Sequence, residues 1–158
     1  MEINNLYNAY KVISNHYGAR CTKRSKTPLM LHIDEGLRIL KAKNVDSTTQ
    51  AAWCYHPIFQ SDSDLFSNRY SHPMPSEVWA MVMQYRITAN AYLCTPATDH
   101  FTELDLPIMP SNNVRLMLVA DKIQNQHEFN KNHKDTHPRA KQLTAYFKLW
   151  LLYLKQED

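Results

Sequence analysis

Only two of the 158 residues are glycine, Gly18 and Gly36. At ordinary usage, roughly 7%, about eleven would be present. Glycine supplies the positive-φ positions of tight hairpins and bulges, so this composition disfavours a small β-sandwich or barrel. The chain also has no G-x-G-x-x-G or Walker-type run. A phosphate ligand would therefore meet side chains or a metal, not a glycine-rich backbone loop. A chain of this length makes one domain and buries about two-thirds of its unfolded surface without staples. The expectation is one soluble, all-α domain.

Apolar spacing divides that domain into about six helices. Ile3, Leu6, Tyr7, Tyr10 and Ile13 recur at helical intervals over residues 2 to 15. Pro28 opens a second helix, striped by Leu29, Ile33, Leu37 and Leu40 and running to about Lys43. Ser47-Thr48-Thr49-Gln50 has the capping-box pattern and starts a short third helix that stops near Pro57. Ser61 to Pro75 is polar and reads as a loop with at most one helical turn. Ser76 caps a fourth helix, Glu77 to Leu93, and Ser111 a fifth, Asn112 to Asn130. A sixth begins at His137 or Pro138 and ends at Leu154. The connections Ser61–Pro75 and Thr95–Pro110 are long for a compact domain, and such loops tend to carry function.

Charge and cysteine usage set the context. Eighteen Lys and Arg against fifteen Asp and Glu leave +3, a bias that suits an anionic ligand but lacks the dense basic stripe of a nucleic-acid binder. Nucleic acid is disfavoured, although Tyr7, Tyr10 and Tyr17 lie near the basic run Lys23-Arg24-Ser25-Lys26. Cys21, Cys54 and Cys94 are far apart and read as free thiols of a reducing compartment. No apolar run approaches the ~20 residues of a membrane span, and Met1 to Tyr10 does not resemble a signal peptide. The expected setting is cytoplasmic.

Three polar residues sit on apolar faces. Asp121 shares a face of the fifth helix with Val114, Leu118 and Asn125. Buried there, its carboxylate needs a cation, a donor network or a proton, and a basic residue such as Arg86 is its simplest partner. His32 shares a face with Leu29 and Gly36, whose missing side chain leaves room beside the imidazole for another chain or a ligand. His56 ends the third helix, just before Pro57. Singly each suits a core or surface role. Together, two imidazoles and a carboxylate on three helices suit a divalent ion such as Mn, Fe or Zn. Tyr85, Arg86 and Asn90 present polar groups toward a pocket or form a hydrogen-bonded core network. The other six histidines are given no ligand role.

These residues resemble the HD-domain metal-dependent phosphohydrolases, above all the guanosine tetraphosphate (ppGpp) hydrolase domain of RelA/SpoT proteins. Arg24-Ser25-Lys26-Thr27-Pro28-Leu29-Met30-Leu31-His32 is similar to the family's R-S-G-x-P-Y-x-x-H, with His32 at its first metal histidine. Gln50-Ala51-Ala52-Trp53-Cys54 is similar to the stretch leading into the His-Asp dyad. Val119-Ala120-Asp121-Lys122-Ile123-Gln124-Asn125 resembles L-A-D-K/R-L-x-N. His137 to Trp150 resembles the family's substrate-facing last helix. The resemblance covers residues 20 to 60 and 110 to 152. It implies a single HD-like bundle whose cofactor is a divalent metal, manganese first, held by His32, His56 and Asp121. It further implies a nucleotide or other phosphorylated small molecule held by Lys23, Arg24, Lys26, Asn125, Arg139 and Tyr146.

The chain departs from the family at the dyad. Tyr55-His56, or His56-Pro57 with a one-residue shift, stands where the family has His-Asp, and the acidic pair beyond it falls on Phe59-Gln60. The nearest carboxylates are Asp62 and Asp64, which take the general-base role if the chain is active. Two expectations follow. One is a metal-dependent nucleotide phosphohydrolase. The other is an HD fold that has lost hydrolysis and binds a nucleotide or a protein partner.

Overall fold

A computed structural model describes residues 2–93 and 110–155. Among them are seven α-helices: α1 (Glu2–Tyr17), α2 (Met30–Ala42), α3 (Ser47–Tyr55), α4 (Asp62–Asn68), α5 (Ser76–Leu93), α6 (Asn112–Asn132) and α7 (Ala140–Leu154). A 3-10 turn, His56–Phe59, follows α3 directly. No strand occurs among the described residues; the one bridge pairs Cys21 with Pro28. No described helix is long and apolar enough to cross a membrane. Cys21 is an exposed free thiol and Cys54 a buried one. Cys94 and all of the predicted connection Thr95–Pro110 except Pro110 lie outside the described residues.

The centre of the bundle is α3. Every residue from Thr49 to Tyr55 is buried, because α1 and α5 pack against the helix and α2 and α6 approach it as well. Such a helix needs no polar face, which explains its unbroken small and aromatic run. Around it, α6 packs on α2 and α7. Ile13, Ile33, Leu40, Trp53, Ile58, Phe59, Met117, Leu118, Trp150 and Leu154 fill the core.

The ends of the helices differ from the expected ones in instructive ways. At α3 the N-cap is Asp46, whose carboxylate accepts from the Thr49 amide at 2.7 Å, while the Gln50 side chain donates to the Val45 carbonyl at 2.8 Å. A carboxylate is the stronger acceptor at a helix N-terminus, and it displaces the Ser47 box by one position. Ser111 precedes α6, but its hydroxyl turns to the Gln84 side chain at 2.5 Å instead of capping. Pro28 lies before α2 and is held by the bridge to Cys21. Within Ser61–Pro75 the chain makes the two-turn helix α4, with Ser61 as N-cap.

Candidate metal centre

Three helices deliver the central residues: His32 comes from the first turn of α2, His56 follows α3, and Asp121 lies midway along α6. One ligand atom from each lies within 4.8 Å of the others. His32 Nε2 is 3.7 Å from Asp121 Oδ1. Ligands at about 2.1 Å from one tetrahedral ion stand about 3.4 Å apart, so the widest separation must close by about an ångström for the three to share one.

Each imidazole is oriented by its other nitrogen. His56 Nδ1–H donates to the Trp53 carbonyl at 2.5 Å. In an uninterrupted α-helix that carbonyl would accept from residue 57, but Pro57 has no N–H. The proline frees the acceptor, the acceptor takes Nδ1, and Nε2 is the nitrogen left for a ligand. His32 Nδ1–H donates to Gln124 Oε1 at 2.6 Å, and Gln124 in turn donates to Glu35 Oε2 at 3.3 Å. Gln124, 2% exposed, follows Asp121 by three residues on α6 and so shares its face. Outer hydrogen bonds of this kind fix the tautomer and ring direction of metal-binding histidines.

The rings are also wedged from one side. The Trp53 indole packs at 5.0 Å from His32 and 4.5 Å from His56, and its Nε1–H donates to the Ile33 carbonyl. It occupies the space that the absent side chain of Gly36 leaves. A Cβ on residue 36 would stand 2.0 Å from Trp53 Cζ2. The room beside His32 is therefore filled by indole, which corrects the expectation of an opening there. Gly36→Ala is expected to lower stability by about 2–3 kcal/mol, as overpacking of a closed core does, and to displace both histidines. Denaturant titration checks the first effect; a loss below about 0.5 kcal/mol would mean that the indole can move aside.

The electrostatics of the cluster are those of a buried carboxylate among bases. Burial holds His56 well below the ordinary imidazole range, at about 3, and the neighbouring His32 adds to this. Its imidazole is neutral and free to act as a ligand. Burial pushes the Asp121 carboxyl up, but its neighbours, the Lys122 ammonium first, outweigh it, so the carboxylate stays ionised. Lys122 Nζ is 3.3 Å from Asp121 Oδ2. Tyr85, fully buried, faces the same carboxylate, and burial together with that charge raises its hydroxyl pKa well above normal. Asp121 is thus paired with Lys122, while Arg86 hydrogen-bonds to Asp62 on α4. Adjacent residues on a helix do not normally face one another, so the sequence favoured the more distant cation. Asn90 exchanges hydrogen bonds with Gln60.

Beside the cluster lies a cleft of about 300 Å³, lined by Arg24, Lys122, Asn125, His133, His137 and Tyr146 among others. It joins Arg24, Asn125 and Tyr146 as the sequence suggested. Two of the histidines set aside there, His133 and His137, also line it. Lys122 Nζ lies 3.1 Å from the Tyr146 hydroxyl, so one ammonium touches both the cleft wall and the carboxylate. The remaining candidates are elsewhere. Lys23 and Lys26 are exposed and do not line this cleft. Arg139 is occupied with Gln142 at 2.6 Å. Asp62 has a fully solvated side chain, 97% exposed, beside Arg86, and Asp64 accepts from its own cap, Ser61, at 2.7 Å. Neither belongs to the cluster. Comparison with protein-family models, curated proteins and solved structures finds no match to this chain.

Proposed function

We propose that the chain is an HD-type metal-dependent phosphohydrolase acting on a nucleotide phosphate, with one divalent ion, manganese first, between His32, His56 and Asp121. One observation carries this reading: two histidines whose Nδ1 atoms are already engaged each bring a ligand nitrogen within 4.8 Å of one ionised carboxylate. Two imidazoles and a carboxylate brought together in this way are a donor set for a cation. Such an ion would polarise a phosphoryl oxygen and lower the pKa of water.

The chain's own residues do the rest. Arg24 and Lys122 offer charge to phosphate oxygens along the cleft, and Asn125 and Tyr146 offer hydrogen bonds and a ring face to a nucleoside. The backbone adds support. Where the family's R-S-G-x-P has glycine, Lys26 takes φ +57°, a left-handed conformation that favours glycine, so the turn persists without it.

A second reading, binding without hydrolysis, is favoured by the surroundings of the missing acidic pair. Phe59 is fully buried in the core and Gln60 is bound to Asn90, while Asp62 and Asp64 are engaged at the surface. Elemental analysis of protein purified without chelator should find close to one divalent ion per chain, absent from Asp121→Ala. Added manganese should raise the melting temperature of the metal-free protein. If neither occurs, both the metal and the hydrolase reading fail. With metal bound, turnover of guanosine tetraphosphate, NADPH or a deoxynucleotide supports hydrolysis, and no turnover of any of them leaves the binding reading.

A further inference from the structure

We propose that Lys122 is the second cation of this centre. It restricts Asp121 to one metal ion and meets the phosphate itself, the place a second ion takes in two-metal sites. The proposal rests on the metal reading above. It comes from how the Asp121 carboxylate is divided. Oδ1 faces His32 at 3.7 Å, while Oδ2 is held by Lys122 Nζ at 3.3 Å. With an ammonium on one oxygen and the Tyr85 hydroxyl facing the same group, the carboxylate is a poor bridge between two ions.

The ammonium is built in rather than passing by. Its side chain is 3% exposed, and Nζ lies 4.9 Å from the Trp150 ring and 5.3 Å from that of Tyr146, the placement of a cation over aromatic faces. An ammonium has three donors. Asp121 and the Tyr146 hydroxyl take two, which leaves one for a ligand in the cleft that Lys122 helps to line. In two-metal phosphohydrolases paired ions clamp the phosphoryl group. Here one ion and one fixed ammonium, sharing a carboxylate, supply two positive charges side by side.

Native mass spectrometry with manganese, and calorimetry with inorganic pyrophosphate as probe, test the proposal on wild type, Lys122→Met and Lys122→Arg. The wild type should hold one ion per chain. The Met variant should bind manganese several-fold more tightly, because Oδ2 is released, and pyrophosphate at least tenfold more weakly. The Arg variant should keep pyrophosphate binding within about fivefold of wild type, as charge-assisted contacts are retained. A merely structural lysine would weaken both ligands together, and that result overturns the proposal. So does a second manganese on the wild type, an outcome that stands even if the Met variant does not fold. One ion in each protein with unchanged pyrophosphate affinity overturns the role of Lys122 alone. No ion in any of them overturns the metal reading and this proposal with it.

Discussion

Asp121→Asn is expected to destabilise the metal-free protein by about 3–5 kcal/mol, the usual cost of stranding one member of a buried ion pair. The variant keeps the shape of the side chain and removes its charge. Lys122, 3% exposed, would then face a neutral amide in place of its counter-charge, with the Tyr146 hydroxyl and two ring faces as its other neighbours. The Tyr85 hydroxyl would also lose the carboxylate it faces. Urea unfolding at pH 7 measures the effect. Adding Lys122→Met to the same protein should restore much of the loss, because an isolated neutral pair costs far less than an isolated charge. A single variant that loses under 1 kcal/mol would mean that water already reaches Lys122.

The second large effect lies in acid. His56 is held at about 3, mainly by burial, whereas in the unfolded chain it titrates near its ordinary value of 6.5. Between those limits the unfolded state binds a proton that the folded state refuses, so stability falls as the pH is lowered. The slope from this group is about 1.4 kcal/mol per pH unit, on the order of 4 kcal/mol across the window. Asp121, held below the usual carboxylate range, adds its own loss at still lower pH. His56→Asn keeps a donor for the Trp53 carbonyl and removes the titrating ring. Its stability should therefore fall less steeply between pH 6.5 and 4 in parallel urea titrations. Identical slopes in the two proteins would sink the assignment.

What the sequence conveyed well was periodic burial. The stripes of α1, α2 and α7 and the doubly apolar run of α6 are visible as spacing, and spacing is what helix packing selects. α4 escaped because little buries it: none of its residues is fully buried, Leu65 packs only partly against the core, and its Phe66 is exposed. It rests on a serine cap and on the Arg86–Asp62 contact, local signals that polarity masks.

Within the site, His32, His56, Asp121, Arg24, Asn125 and Tyr146 were legible, since each is a polar residue on an otherwise apolar or basic stretch. Partners were not. The pairing of Asp121 with its own neighbour Lys122 depends on how two long side chains bend, and no spacing rule encodes it. Gln124 had a usable signal, three residues after Asp121 on the same face. Pro57 had another, since a proline four residues on must leave the Trp53 carbonyl open. The Gly36–Trp53 contact joins residues of different helices, and only the packed bundle reveals that the glycine makes room for an indole.

That indole has an optical consequence. Trp53 is fully buried against both histidine rings, where a protonated imidazole or a paramagnetic ion is close enough to quench an excited indole. Trp79 instead packs edge-on against Phe59, and Trp150 lies beneath Lys122. The three chromophores thus watch three different neighbourhoods. The emission of this chain carries an internal readout of its histidine cluster, with no label to attach and no substrate to identify first.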